Sequence, residues 1–377
     1  MNWFSLKGSY LSKGRRAAGP LRIVAVGGGT GLSTLLQGLK QYAQAQPHLT
    51  SHPVRDGLLP AELTAVVTVT DDGGSSGRLR REFDVLPPGD IRNCMVALSE
   101  DEALLSRLFQ HRFKTGSGLK GHSFGNLFLT ALTQVIGDFG DAVKLSSEIL
   151  AIRGRIYPST RSNVSLEALL EDGNRVAGET RISRSKLPIE RISLKPRKTA
   201  PLQETLDAIS NADLITLGPG SLFTSVIPNL LVGGIAEAIE RSRAVKAYFS
   251  NLMWQPGETM FFSTSDHVNA IYRHARRALL DYVIVNTRPI SRELRRAYAA
   301  QRVYPVEVDV PRLIAMGLKV IGRSLLADAP KIRHDPAAAA SVCISLAQEG
   351  RERRKGVQAR RSRRTATPKP GLSGTRT

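Results

Sequence analysis

The chain has 377 residues and a mass of 41.0 kDa, and 41% of its residues are hydrophobic. That is enough apolar material for a sizeable core, which excludes a wholly disordered chain and a small disulfide-stapled scaffold. The formal charge of +20 is concentrated in three places: residues 1–22 carry +5, residues 181–198 carry +6 and residues 350–377 carry +9, so the remainder is formally neutral. Cys94 and Cys343 are the only cysteines, too few for a disulfide framework, and no Cys-x-x-Cys or His-Cys cluster suggests zinc.

The first twenty residues read as a basic extension without the apolar run of a secretory signal. Residues 21–26, LRIVAV, form a continuous apolar strand, followed by GGGTG and a helix with apolar residues at helical spacing over 32–43. ELTAVVTVT (62–70) is a second buried strand, and residues 90–151 read as mostly helical. Residues 164–194 contain two runs about Asp172-Gly173-Asn174, which predicts a hairpin extension. Further strands are expected at 213–217, 245–250, 281–286 and 303–309, each separated from the next by an amphipathic segment. Six apolar strands alternating with helices predict an α/β domain with a mainly parallel sheet covered on both faces. The apolar stretch 214–239 is broken by Gly218, Pro219, Gly220, Pro228, Gly233 and Gly234, so no membrane span is expected and a cytoplasmic protein is. Residues 350–377 read as a basic disordered tail.

Three polar loops follow apolar strands. Gly27-Gly28-Gly29-Thr30-Gly31 joins the first strand to a helix, and glycine backbone at a helix N-terminus suits a phosphate. It is neither a Walker A loop nor a strict G-x-G-x-x-G. Asp71-Asp72-Gly73-Gly74-Ser75-Ser76 follows the second strand. Its carboxylates suit a ribose, a Mg²⁺ on a diphosphate or a reacting hydroxyl, with Gly74 and Ser75 as donors and Arg78 or Arg80 as an anion clamp. Gly218-Pro219-Gly220-Ser221, with Thr224 just beyond, repeats the pattern on a later strand. A cleft for a nucleotide diphosphate explains all three loops together.

Secondary candidates are Asn93 after the turn Pro87-Pro88-Gly89-Asp90, His122 and Asn126 in GHSFGN, and Asn251 after a strand. Asp90 reads as a helix cap, and Asp266 and His267 as cap and surface residues. No Gly-x-Ser-x-Gly elbow and no nucleophile with a paired base is evident, so catalytic residues are unassigned beyond the candidates Asp71 and Asp72.

VGGGTGLSTLLQGLK, VTVTDDGGSSGRLR, PPGDIRNCMVAL, GHSFGNL, TLGPGSLFTSVIPNLL and NLMWQPGET occur in this order over roughly residues 21–328. On these motifs the chain resembles the gluconeogenesis-factor (YvcK-like) family, in one superfamily with the 2-phospho-L-lactate transferase (CofD-like). The resemblance implies a three-layer α/β/α Rossmann-like nucleotide-binding domain over 21–328, with a helical segment at 329–349 after it. It implies a regulator of cell shape and of growth on gluconeogenic carbon that binds UDP-sugars such as UDP-N-acetylglucosamine, with a protein partner in cell-wall synthesis and a homo-oligomeric state. The transferase relatives imply the alternative, phospholactate transfer from a guanosine diphosphate donor with Mg²⁺. Carried over, Gly28 to Gly31 and Gly218 to Ser221 would cradle phosphates, and Asp71 and Asp72 would serve metal or acceptor. Ser250 stands where the family often has Cys, Trp254 where it has Thr and Arg288 where Gly is common, which points to an altered sugar end of the pocket. The basic ends read as solubilising or nonspecific, with no specific nucleic-acid partner.

Overall fold

The computed structural model describes residues 19–43, 59–99 and 104–365, with the side chains of 104–105 and 357–365 left aside. Most of the basic N-terminal extension and residues 366–377 therefore lie outside the described residues.

Among the described residues the strands are β1 (Leu21–Gly27), β2 (Ala61–Val67), β3 (Arg155–Pro158), β4 (Ser165–Leu170), β5 (Arg175–Ala177), β6 (Ile189–Lys195), β7 (Leu214–Leu217), β8 (Val245–Phe249), β9 (Tyr282–Asn286) and β10 (Lys319–Arg323). Seven of them form one sheet in the order β10-β9-β8-β7-β1-β2-β3, all pairs parallel. Parallel strands buried on both faces need unbroken apolar runs, and Leu21, Ile23, Val24, Ala25 and Val26 of β1 are all at most 2% exposed. Helices Gly29–Leu39, Gly89–Leu98 and the start of Pro336–Thr365 cover one face, and helices Gln203–Asn211, Ile227–Leu231 and Ile235–Arg241 the other. The chain builds outward from β1 through β2 to β3, then returns to place β7 on the other side of β1. The order thus reverses between β1 and β7, the crevice where open α/β sheets receive ligands at their carboxyl ends.

The predicted hairpin is present: β4 and β5 pair antiparallel about Glu171–Asn174, and β6 adds a third strand on the other side of β4. Glu167, 5% exposed on β4, is held by Arg175 and Lys195 from the two flanking strands.

Two expectations change. Residues 303–309 are not a strand; the segment makes only the isolated bridges Met253↔Pro305 and Ser263↔Glu307. β3 and β10 take the places at the two sheet edges instead. The C-terminal helix begins at Pro336 rather than 329 and runs through 350 to Thr365, where a disordered tail is expected from composition. The physical reason is counter-charge: Arg351 and Arg354 meet Asp213, whose side chain is 4% exposed, at 3.0 and 3.1 Å, and Arg353 meets Glu349. Gly350 has no room for a side chain, since a Cβ there would stand 1.8 Å from the Asp213 carbonyl oxygen. Among the described residues no single helix is long and apolar enough to cross a membrane.

Candidate functional site

The glycine loop after β1 meets the Gly218–Ser221 loop after β7 back to back. A Cβ on Gly31 would stand 2.5 Å from the Pro219 carbonyl oxygen and 2.8 Å from Gly220 Cα, so only glycine permits the two backbones to approach. Gly29, with φ +61°, turns the chain into the helix Gly29–Leu39. That helix has the extended Gly28 as N-cap, which carries no side chain to bond its first N–H groups, and the Asp90 carboxyl takes the Gly29 N–H. Gly28 is equally confined, 2.7 Å separating a Cβ there from Asp90 Oδ2 and Thr68 Cγ2.

A cavity of about 250 Å³ opens from this junction. Gly28, Gly29, Thr30, Gly31, Gly220, Ser221 and Asn251 line it, as the sequence predicts. Its far side is formed by Met253, Trp254, Gln255, Ile332, Arg333 and His334. Asn251 is fixed from both ends: its amide donates to the Gly220 carbonyl (3.0 Å) and its oxygen accepts from Tyr248 OH (2.9 Å). Gln255 Nε2 donates to Ser221 Oγ at 2.6 Å. Burial pushes the His334 imidazole down to about 4, so the ring is neutral; it bonds the Ser250 backbone, and its buried Nε2 has no partner. Trp254 packs between Phe261 (centroids 4.9 Å apart) and Tyr304 (5.3 Å) at the rim, and its buried Nε1 is likewise unpartnered. Phe261 is 75% exposed and holds φ +65°, a left-handed conformation uncommon for a bulky residue. Arg288, expected at the sugar end, instead binds Asp328 and the Leu326 carbonyl and does not line the cavity.

The other expected ligand residues hold the fold together nearby. Thr224 is buried and donates to Glu258 Oε1 (3.2 Å), while Phe223 N–H donates to Glu258 Oε2 (3.3 Å). Gly218 donates to the Val26 carbonyl and supplies a positive φ of 75°. Ser75 Oγ lies 3.0 Å from His122 Nδ1, and Asn126 Nδ2 donates to Ser76 Oγ at 3.4 Å. Ser75, Ser76, His122 and Asn126 are all buried, which makes the group a lock between helices Gly74–Phe83 and Phe124–Ile136. Burial, then Arg78, lowers the His122 pKa and keeps the ring neutral. Gly74, exposed with φ +46°, opens its helix; Arg78 donates to the Lys120 carbonyl, and Asn93 accepts from Arg92. His267 is not a surface residue but fully buried, stacked on Tyr248, whereas Asp266 does complete a capping box with Ser263.

Asp72 is also committed: its Oδ1 accepts from Thr180 N–H (2.8 Å) and Thr180 Oγ1 (2.6 Å), which clasps the end of the β4–β5 hairpin. Asp71 accepts from Gly73 N–H at 2.8 Å. Asp90 does not cap its helix; its carboxyl reaches the Gly28–Gly29 backbone instead. Burial and the neighbouring Asp71 push Asp90 up to about 7, against a hydrogen bond from the Gly29 backbone. Glu179, beside the Asp72 clasp, is pushed up to about 9 by burial, then by Asp71, Asp90 and Glu258. A cluster of carboxyl groups, two of them driven to hold their protons, therefore faces the glycine loop from one side. No three His, Cys, Asp or Glu among the described residues gather as a metal site. One or two carboxylates suffice for a Mg²⁺ that also rides on a ligand's phosphates, and Asp71 with Asp90 fit that role better than Asp71 with Asp72. Glu179, Arg333 and His334 carry no motif in the sequence, whereas Asp90, Gln255 and Glu258 fall inside recognisable ones.

The family of the 2-phospho-L-lactate transferase CofD matches residues 23–326. A gluconeogenesis factor of Halalkalibacterium halodurans is 47% identical over 299 residues, which span 79% of this chain and 88% of that one. The gluconeogenesis factor of Bacillus subtilis is 45% identical over 329 residues, 87% of this chain and 98% of that one. A crystal structure of a Bacillus halodurans protein superposes with a TM-score of 0.80 at 44% identity, covering 86% of this chain and all of that one. With the same motifs arranged about the β1–β7 crevice, the chain belongs to the CofD family and, within it, groups with the gluconeogenesis factors.

Proposed function

We propose that the protein is a cytoplasmic regulator that binds a nucleotide-sugar, of the UDP-N-acetylglucosamine kind, and couples carbon status to cell-wall synthesis. The observation that supports this most is the shape of the 250 Å³ cavity: a helix N-terminus and two glycine loops at one side, amide and aromatic side chains at the other. The glycine side suits a diphosphate, whose charge the positive end of the helix compensates. Asn251, Trp254, Gln255 and neutral His334 suit a base or sugar, which needs directional donors and acceptors and a flat apolar wall. The Ser75–His122 pair has the spacing of a nucleophile and base, but both are buried away from this cavity, which favours binding without turnover.

The test is thermal unfolding with UDP-N-acetylglucosamine, UDP-glucose, GDP or NAD, each with and without Mg²⁺. Ligand at 100 times its dissociation constant adds about 2.7 kcal/mol. Stabilisation by UDP-sugars with no product formed supports the regulator; no response to any UDP-sugar rejects it. Asp71 and Asp90 beside Gly28 support a second reading, phosphoryl-type transfer from a nucleoside-diphosphate donor carrying Mg²⁺. Stabilisation confined to GDP with Mg²⁺, with consumption of a phospholactate donor that Asp90→Asn abolishes, selects that reading.

A further inference from the structure

Three arginines from different helices and a loop converge where the chain turns into helix Phe124–Ile136. Arg78 donates from Nη2 to the Lys120 carbonyl at 2.8 Å, and Arg112 donates from Nη1 to the next carbonyl, that of Gly121, at 2.5 Å. Gly121 holds φ +84°, and a Cβ there would stand 3.1 Å from Arg78 Nη2, so glycine lets the guanidinium lie against the turn. Arg92 reaches the same place from helix Gly89–Leu98: a Cβ on Gly125 would stand 2.9 Å from its Cδ. Its Nη2 donates to Asn93 Oδ1, and its Nε is buried with no partner. Among the described residues, each hydrogen bond these guanidiniums make thus ends on a neutral oxygen. The crowding is electrostatic as well. Burial and then Arg112 lower the Arg92 pKa, with Asp90 and Asp71 opposing, and both Arg78 and Arg112 act on the His122 ring. The other acid nearby is Glu82, exposed one turn beyond Arg78.

We propose that Arg78, Arg92 and Arg112 hold the phosphoryl group of a small phosphorylated metabolite, at a site separate from the nucleotide cavity. Each guanidinium commits an N–H to the protein and keeps the rest of its planar fork, which engages phosphate oxygens two at a time. A tetrahedral phosphoryl group can turn an oxygen to each fork, whereas a flat carboxylate has too few for all of them. The buried Arg92 Nε, a donor without an acceptor, costs free energy until an anion reaches it. Like charges crowded onto neutral carbonyls are relieved by the same anion. None of the three arginines lines the glycine cavity, so a nucleotide bound there leaves them free.

The experiment is isothermal titration of the full chain with inorganic phosphate, glycerol 3-phosphate and succinate at constant ionic strength, with circular dichroism to confirm that each variant is folded. Saturable binding of both phosphates is expected, and adding UDP-N-acetylglucosamine should not displace them. R112Q and R78Q should each weaken that binding roughly tenfold or more. R112K should recover only part of the loss, because an ammonium lacks the fork. K114Q/K120Q removes two exposed cations of the same loop while leaving the three forks in place, and should change affinity by less than about threefold. The result does not depend on the nucleotide-sugar reading, since a loss confined to R112Q and R78Q identifies this site whether or not the cavity takes a UDP-sugar. Parental affinity in R112Q and R78Q, an equal loss in K114Q/K120Q, displacement of phosphate by UDP-N-acetylglucosamine, or tighter binding of succinate than of either phosphate would each overturn the proposal.

Discussion

Asp72 separates two accounts of the acidic loop. As a ligand to metal or acceptor it would leave stability untouched when changed; as the clasp of the β4–β5 hairpin it would not. Thr180 gives Asp72 Oδ1 a hydroxyl bond of 2.6 Å and an N–H bond of 2.8 Å, and a Cβ at Gly178 would lie 2.2 Å from Asp72 Oδ2, so the carboxylate is held on three sides. A hydrogen bond to a charged group is worth about 1.5–3 kcal/mol. Thr180→Val removes only the hydroxyl bond and should destabilise by about 2 kcal/mol. With a urea m-value of about 3 kcal/mol/M, that moves the unfolding midpoint down by about 0.7 M. Asp72→Asn should lose a comparable amount, and the double variant should fall short of the sum by about 1 kcal/mol or more, because the two changes remove one interaction. Urea denaturation of the four proteins gives the cycle, and isothermal titration with UDP-N-acetylglucosamine should show dissociation constants within about threefold of the parent, since the interaction removed lies outside the cavity. Additive stabilities, or an Asp72→Asn protein of parental stability that has lost a Mg²⁺-dependent response, would refute the clasp.

Three further outcomes follow from the same geometry. Glu179, raised from an ordinary 4.5 to about 9, holds a proton in the folded state that the unfolded chain releases, so stability falls as pH rises from 4.5 towards 9. Glu179→Gln should gain on the parent by about 3 kcal/mol between pH 4.5 and pH 7 in denaturant titrations, at about 1.36 kcal/mol per unit; a pH-independent difference would contradict the assigned burial. Gly31→Ala forces a Cβ to within 2.5 Å of the Pro219 carbonyl oxygen, and should destabilise by about 1–3 kcal/mol and abolish the ligand-induced thermal shift in a protein that circular dichroism shows to be folded. Arg351→Ala leaves buried Asp213 with Arg354 alone, for a predicted loss of about 3 kcal/mol by urea denaturation, and Arg351→Lys should recover only part of it.

The sheet and its crevice were legible because the central strands are largely apolar, and β1 and β7, which flank the crevice, run into glycine. β3 and β10 were not: β3 is four residues, RIYP, and β10, KVIGR, has charge at both ends, so each is recognisable only as an addition to an existing edge. VYPVEVD has strand composition but no ladder to join, and Pro305 sits within it. The glycine loops were legible as a close-approaching backbone cradle, and the structure brings both to one cavity. Arg333 and His334 were missed because they lie three hundred residues from Gly28 in a segment without pattern, and only the turn into the last helix brings them to it. His122, Ser75 and Asn126 look available in sequence as polar side chains at helix starts, whereas here they are buried, Ser75 beside His122 and the Asn126 amide on Ser76.

Asp213 has a bearing on where the folded unit ends. Its side chain accepts from Arg22 N–H, its carbonyl from Val245 N–H, and both of its carboxylate oxygens meet arginines of the last helix. One residue therefore staples the roots of three adjacent strands to a segment that composition alone would discard. Amino-acid content changes character at 350, but the cooperative boundary lies several residues later. A deletion guided by low complexity would remove the counter-ions of a buried carboxylate rather than an ornament. In this chain some of the arginine that looks like solvent-facing coat belongs to the interior, and tail length and fold integrity cannot be varied independently until after Lys355.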